Sequence, residues 1–590
     1  MAPKQEVGKN VENESSVVQH EQDQAYPSGL KLILLMASAY AAMFLVSLDK
    51  MIISTAIPQI TDEFRSKQDV GWYGTAYLLT NCAFQLIFGK LYKFLPVKTT
   101  FLVSLFLFEA GSALCGAAPN SIAFILGRAI AGLGAGGVLP GIMVMIVYAV
   151  PLHKRPKYQG FFGALFGISS VLGPTVGGAF TTHATWRWCF YINLPIGLPV
   201  MVLVFFLLHV PGQSAPKLSL RDKLKQANLV GSFCLVPGIV CLCLVLQWGG
   251  TTHSWSDGRV IGLLVAAFVL LVAFALVQVW LPDQAILPPR IVAQRSIASG
   301  LWTSVCVGAH QTIFRTQNTR AHFSHQFRRL TRYVPVYFLP IWFQAIKDKR
   351  AVDSGIDLLP MVLVTSAAAI GNGQLVSAVG YYAPSLIAGV CVTAIGAGLL
   401  TTLSVDISPG KWVGYEILYG FGLGLSSQAA NMAAQTVLPK PDVAIGASLM
   451  FFAQTLFGAV FVSVGENVLD NQLSQRLVGI PGLETTLTTD AGVTDVLSHI
   501  DIKNRLPALD AYNDALRTVF RVALYMACIA IPGALAMEWR TVKKGRPAKG
   551  NTSRAEKGQC AAEVPEASTR GEDVAKQQGS GAGAVASKRQ

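Results

Sequence analysis

Asp49 stands in the stretch "LVSLDKMIISTAIP" with Lys50 beside it and no other charge within ten residues on either side. A carboxyl in such surroundings is desolvated, which favours its protonated form, so it could load and release protons. Arg128, in "LGRAIAGLGAGGVLPG", is a second charge among apolar and small residues. It could pair with Asp49, or lower the proton affinity of a nearby carboxyl as the two approach. A competing reading makes Asp49 a fixed structural partner of Lys50 or Arg128, costly to break and transporting nothing; Lys50 could instead snorkel outward. Glu109 and Glu416 are weaker candidates for proton coupling, because either could simply sit near an interface.

Other side chains could line a cavity. Asn81 and Gln85 are four apart, one face of a helix, and Gln428, Asn431 and Gln435 recur at helical spacing. Trp72, Tyr73, Tyr77 and Phe452 could stack on a flat organic ligand. Hydrogen bonding between helices and ordinary aromatic packing explain any one of them equally well.

These groups need elements to hold them, and the elements follow from the apolar residues. Of 590 residues 52% are hydrophobic and 14% charged, against about a quarter charged in ordinary soluble domains. The apolar residues fall in blocks of about 20, the length that crosses a bilayer as a helix. Fourteen such blocks predict an all-α polytopic membrane protein: 32–57, 70–90, 100–118, 122–148, 159–181, 189–209, 228–248, 260–281, 297–344, 355–378, 384–404, 411–437, 444–468 and 517–537. The expected organisation is a polar N-tail (1–30), a six-helix half (31–210), a linker with two extra spans (211–290), a second six-helix half (291–538) and a disordered basic tail (539–590). Within the second half, 470–515 is expected to be an extracellular loop.

Charge orients the bundle. Lys90, Lys93 and Lys98, then Lys154, Arg155 and Lys157, then Lys217, Arg221, Lys223 and Lys225 occupy alternate loops, which places those loops in the cytoplasm. Acid-rich loops around Asp62–Asp69 and 470–515 belong outside, so both termini are cytoplasmic. The sequons at Asn13 and Asn551 are then not glycosylated. The net charge of +14 is read as this loop bias, not as nucleic-acid binding. The ten cysteines lie mostly inside apolar blocks without metal spacing, so they read as small buried hydrophobes and no metal or disulfide framework is expected.

The ninth block is interrupted by "RTQNTRAHFSHQFRRLTR" (315–332), with five Arg, two His and no acid. Uncompensated Arg at the membrane centre costs several kcal/mol each. Two readings stand: a basic cytoplasmic insert suited to lipid headgroups, and a translated intron. The second is favoured, because the segment splits what otherwise reads as one helix.

The block "GISSVLGPTVGGAF" carries four Gly and one Pro in fourteen residues. In lipid, helices associate through close backbone approach, which small residues permit. Gly163 with Gly167, and Gly173 with Gly177, make smooth faces on the fifth span, as Gly132 with Gly136 and Gly137 with Gly141 do on the fourth. Pro174 frees the carbonyl of Ser170 and predicts a bend. Static packing with a kink is the plain reading; rocking against a neighbour is the functional one.

At these residues the chain resembles the major facilitator superfamily, in its fourteen-span drug:proton antiporter branch. Gly167, Gly173, Pro174, Gly177 and Gly178 are similar to the antiporter signature of the fifth helix. "LDKMIISTAIP", "RAIAGLGAGG" and "WRWCFYINLPIG" resemble the first-helix, fourth-helix and sixth-helix motifs. The likeness extends over about 30–540, with fungal toxin and secondary-metabolite efflux pumps the nearest in pattern. It implies two six-helix halves with an extra central pair, and export coupled to inward proton flow. One motif departs. The family's loop between helices 2 and 3 runs Gly-x-Leu-x-Asp-Arg-x-Gly-Arg-Lys; here "GKLYKFLPVK" keeps Gly89, Leu91 and Lys98 but has Lys93 and Phe94 for the Asp–Arg pair. The gating charge latch that the pattern supplies is therefore in question.

The expectation is a proton-driven exporter of small, largely apolar organic compounds, with no cofactor beyond the proton gradient. It would act as a monomer in the plasma membrane, or in a vacuolar or vesicle membrane. Its coupling residues would be Asp49 and Arg128, and its cavity would be lined by Asn81, Gln85, Gln428 and Asn431. An importer or uniporter on the same fold is the alternative. No Gly-x-x-x-x-Gly-Lys-Ser/Thr stretch supports an ATP-driven pump, and no nucleophile–base pairing within spans supports an enzyme.

Overall fold

A computed structural model describes residues 26–66, 69–209, 228–250, 253–314, 338–349, 351–477 and 502–543. All of them fall in one compact unit, Met1–Lys543. The basic loop 217–225, the interruption 315–332 and the tail beyond 543 lie outside the described residues.

The described chain is nearly all helix. The first group is α1 (Gly29–Phe64), α2 (Val70–Phe94), α3 (Val97–Ala117), α4 (Ser121–Ala149), α5 (Arg155–His183) and α6 (Asn193–Leu207). Next come α7 (Leu229–Trp248) and α8 (Gly258–Trp280). The last group is α9 (Arg295–Phe314), α10 (Leu359–Val379), α11 (Ala383–Leu400), α12 (Pro409–Ser426), α13 (Val443–Leu477) and α14 (Ile502–Ala536). Among the described residues, eleven helices are long and apolar enough to cross a membrane. The other three expected spans also carry helix, but α2, α9 and α12 are not among the eleven. Local chemistry sets the starts: the Asn120 side chain accepts the Ala123 N–H at 2.9 Å to cap α4, Asp257 caps α8, and proline occupies the first turn of α10, α11 and α12.

Several boundaries differ from expectation. The first helix has 36 residues, about 54 Å at 1.5 Å each, so it outruns the hydrocarbon and carries Asp62 and Glu63 beyond it. The expected loop 470–515 is shorter, because α13 continues to Leu477 and α14 begins at Ile502. The twelfth span is not continuous: α12 stops at Ser426 and a short helix resumes over Ala429–Val437, leaving Gln428 at the break. The first residues of the expected disordered tail are ordered, since Val542 N–H donates to the Gly380 carbonyl and Thr541 pairs with Tyr381. Helix α5 runs unbroken through Pro174.

Packing follows small residues. In the first group α4 packs against α2 and α3, α1 against α5 and α6, and α3 against α6. In the last group α12 packs against α10 and α11, α9 against α13 and α14, and α11 against α14. The two groups meet along α5–α10 and along α13, which lies on α2 and α4. Helix α7 sits on α2 and α13, with α8 packed on α7. Helix α8 presents Leu264, Phe268, Val269 and Leu276 outward, as a lipid-facing helix does.

A buried ion pair and a column of amides

The first-helix carboxyl and the fourth-helix guanidinium meet. Arg128 Nη1 donates to Asp49 Oδ2 at 2.7 Å, with both side chains at most 2% exposed. Three further contacts fix the pair. Arg128 Nε donates to the Tyr73 carbonyl at 3.1 Å, and its guanidinium lies 4.4 Å from the centre of the Tyr77 ring. Asn193 Nδ2 approaches Asp49 Oδ1 at 3.5 Å and donates to Ser112 Oγ at 3.1 Å. Lys50, the residue beside Asp49, lies 5.9 Å from the centre of the same Tyr77 ring. Glu109, one turn before Ser112, is buried against Gly197, one turn after Asn193. Asn193 belongs to the "WRWCFYINLPIG" stretch, yet nothing in its type or spacing announced a partner 144 residues away.

The same stretch clamps the far end of α1. Arg187 Nη2 pairs with Glu63 Oε1 at 2.7 Å, Arg187 Nη1 donates to the carbonyls of Gly116 and Ala118, and Trp186 Nε1 donates to Glu63 Oε2. The rings of Phe64, Phe124, Trp186 and Phe190 pack edge to face around it. Tyr73 joins that cluster and bonds Ser121 through its hydroxyl, so it braces the helix ends and does not line a cavity.

Below the ion pair, α2 carries Tyr77, Asn81 and Gln85 at four-residue intervals, all fully buried. Among the described residues the Tyr77 hydroxyl and both ends of both amides have no hydrogen-bond partner. Buried polar groups are nearly always paired, so the stripe carries hydrogen-bonding capacity that the described chain does not use. Across the seam, Asn431 is equally buried and unpaired, and Gln435 follows one turn later. Gln435 Nε2 and Gln159 Nε2 approach the Met143 sulfur at 3.5 and 3.6 Å. Cys82 and Leu86 of α2 share an apolar cluster with Ala430 and Ala434, which brings the two stripes to one region. Gln428 does not join them: at the helix break it lies with Asn372 and Ser385 near Pro156. Gln159 and Met143 were not singled out by sequence, because a lone amide and a methionine on apolar helices carry no signal of their own.

The glycines of α5 divide between two neighbours. Gly160, Gly163 and Gly167 press on Ala369, Ile370 and Ser366 of α10, whereas Gly173 and Gly177 press on Met51, Ile52 and Thr55 of α1. Gly178 meets nothing and so takes no part in the close packing.

The last turn of α2 forms a latch, with the polarity of the loop pattern reversed. Lys93 Nζ pairs with Asp442 Oδ1 at 2.8 Å, and Arg290 Nη2 pairs with Asp442 Oδ2 at 2.8 Å. Asp442, at the head of α13, is 3% exposed, and Gly89 lets α2 touch Ser448 and Ala444 one turn farther on. The acid that the loop pattern lacks is supplied by the other side of the seam. Lys98 is elsewhere, 4.4 Å above the ring of Phe205 on α6.

A family model for the Major Facilitator Superfamily matches residues 39–287. An MFS-type transporter of Claviceps purpurea is 49% identical over 527 residues, covering 89% of this chain and 88% of that protein. The chain belongs to the major facilitator superfamily. Other relatives within this superfamily are the MFS-type efflux pump MFS1 of Trichophyton rubrum, 45% identical over 524 residues (88% of this chain, 93% of that one), and the efflux pump aflT of Aspergillus parasiticus, 43% identical over 522 residues (88% and 98%). Among solved structures, the human organic anion transporter MFSD10 shares the fold at a TM-score of 0.53 and 10% identity, covering 85% of this chain and all of that one. A POT family peptide transporter does so at 0.52 and 14%, covering 88% and 99%. The protein is thus a multi-pass membrane transporter of the superfamily, not an enzyme.

Proposed function

We propose that this protein exports small, largely apolar organic compounds in exchange for protons, by alternating access between two six-helix halves. The relatives named as efflux pumps support export over import. The observation that carries proton coupling is the buried Asp49–Arg128 pair, where, among the described residues, α1 and α4 join through charge. Protonating Asp49 removes the attraction that holds Arg128, so a proton arriving from outside loosens α1 from α4, and with α1 goes α5, which packs on it and meets the other half at α10. The cargo would lie against Tyr77, Asn81, Gln85, Asn431 and Gln435, whose unpaired polar ends stand in an otherwise apolar lining. The driving force is about 2.3 kcal/mol per charge per 100 mV, with the pH gradient in addition.

This reading takes all fourteen helices as crossings, both termini as cytoplasmic, the monomer as the working unit and the plasma membrane as its place. It needs no cofactor. The basic loops then lie inside, and the latch at Lys93–Asp442 describes a carrier closed to the cytoplasm.

The test is made in cells loaded with a lipophilic dye that the wild type expels. Asp49→Asn keeps the shape and a hydrogen-bond acceptor, and is expected to reach the membrane yet lose export to the level of cells lacking the protein. Undiminished, uncoupler-sensitive export by Asp49→Asn would defeat the assignment.

A further inference from the structure

Five helix pairings of α1–α6 recur in α9–α14: α2–α4, α3–α4, α1–α5, α1–α6 and α3–α6 correspond to α10–α12, α11–α12, α9–α13, α9–α14 and α11–α14, and a sequence repeat accompanies them. Helix α4 reads Arg128-x-x-x-Gly132-x-Gly134-x-Gly136; α12 reads Glu416-x-x-x-Gly420-x-Gly422-x-Gly424. The glycines act alike in both. Gly132 and Gly136 press on α2 at Tyr77 and Asn81, and Gly134 presses on α3 at Ser104 and Phe108. Gly420 and Gly424 press on α10 at Met361 and Thr365, and Gly422 presses on α11 at Gly389 and Thr393. The register therefore lays Glu416 on the position of Arg128, with the opposite charge; each is the eighth residue of its helix.

Arg128 has Asp49, but among the described residues Glu416 has no such partner. It is fully buried, and neither carboxyl oxygen completes a hydrogen bond with them. The backbone N–H of Met361, in the first turn of α10, faces it without closing one, and its charged neighbour is another acid, Asp357. Lys349 lies 3.9 Å from Asp357. Among the packed elements, α10 and the helix Ala429–Val437 bring no titratable side chain, and α11 brings Cys391. Helix α9 brings His310, whose Nδ1 is 2.8 Å from the hydroxyl of Tyr419, one turn from Glu416. An ionised carboxylate buried without a counter-charge costs several kcal/mol, whereas the neutral acid costs only the desolvation of a hydroxyl. Exposure to water when the seam along α5–α10 opens would reverse that balance.

We propose that Glu416 is a second proton-carrying carboxyl, on the half opposite Asp49. Its O–H bond breaks when the site opens to water; the proton passes to a water molecule and the electron pair stays on the carboxylate, which the Met361 N–H can then receive. A hydronium ion from the other side later returns the proton, and the site closes. The inference rests on the reading of this protein as a proton-coupled carrier with Asp49 as its first site.

The two are separated by infrared difference spectra of the full-length protein in liposomes, recorded across a pH titration without cargo. A buried protonated carboxyl gives a carbonyl band apart from those of exposed acids. The expected result is a titrating band that disappears in Glu416→Gln, remains but shifts in Glu416→Asp, and persists in both Asp49→Asn and Glu109→Gln. Proton uptake, followed with a pH-indicator dye, should fall in Glu416→Gln to that of a carrier with one site fewer. A set of titrating bands unchanged in Glu416→Gln overturns the proposal. So does a Glu416 band that never titrates, since a permanently neutral acid carries nothing. If Glu416 behaves as expected while Asp49→Asn loses no titrating signal, the Asp49 reading falls and the Glu416 site stands.

Discussion

A guanidinium and a carboxylate buried together are held as much by the cost of separating them as by their attraction. Removing one partner leaves a charge without compensation, at about 3–5 kcal/mol. The third member of the Asp49–Arg128 group, Asn193, is neutral and so is the gentler probe. It bonds Ser112 and reaches the second oxygen of Asp49. Asn193→Leu removes those hydrogen bonds, and a loss of about 1–3 kcal/mol is expected from a buried acceptor left bare. Thermal unfolding should drop accordingly, and the pH profile of export should shift, because an oxygen of Asp49 loses its donor. An unmoved pH profile would reduce Asn193 to packing. The amides differ: among the described residues the side-chain ends of Asn81 and Gln85 make no hydrogen bond, so Asn81→Leu should not lower the melting temperature while raising the dye concentration needed for half-maximal export.

Helices in this bundle meet wherever a side chain is missing. A Cβ at Gly177 would run into Thr55 and Ile52 of α1, whereas Gly178 beside it faces open space. Gly177→Leu should therefore destabilise the protein by about 1–3 kcal/mol through overpacking, seen as a lower melting temperature and lost export. Gly178→Ala should be neutral or stabilising, since alanine suits a helix interior by about 1 kcal/mol over glycine. The latch is the other link between elements. Asp442 is almost closed to solvent, but its partners Lys93 and Arg290 are reached by water, so Asp442→Asn should cost the inward-closed form on the order of 1 kcal/mol. Cysteines placed along the cytoplasmic part of the seam should then react faster with a membrane-impermeant thiol reagent applied from that side. Pairing Lys93→Asp with Asp442→Lys should slow that labelling again, because Arg290 is largely exposed and can turn away.

For the whole molecule the question is whether two bodies move. Their described contacts run along α5–α10, where small residues meet, and around α13, where the latch and an apolar cluster with Leu86, Val147, Leu449 and Met450 join them. Small-residue contacts are flat and hold through short-range dispersion, so they part without dragging side chains out of pockets. Gly163 faces Ala369 directly across this seam. With the natural cysteines replaced, Gly163→Cys with Ala369→Cys should cross-link under oxidation, stop export, and recover when reduced. Export that continues through the cross-link would show that these helices do not separate during transport.

Apolar blocks of bilayer length, glycine spacing and loop charge made the membrane-spanning character, the helix order and the small-residue faces legible from the chain alone, because each is a local property of one segment. The isolation of Asp49 and Arg128 also marked them, since charge is expensive in lipid wherever the helices come to lie. What the sequence left open was which groups meet. A helix that is apolar on every side gives no facial pattern, so nothing in it says that Met143 lies between Gln159 and Gln435, or that Gly178 faces nothing while Gly177 is pressed against α1. The latch shows the limit most clearly. The second loop lacks its acid, and only the packing of α13 against α2 brings Asp442 to Lys93 across 349 residues of chain. Pairing over such separations is decided by how the helices pack, and that exists only once the bundle has formed.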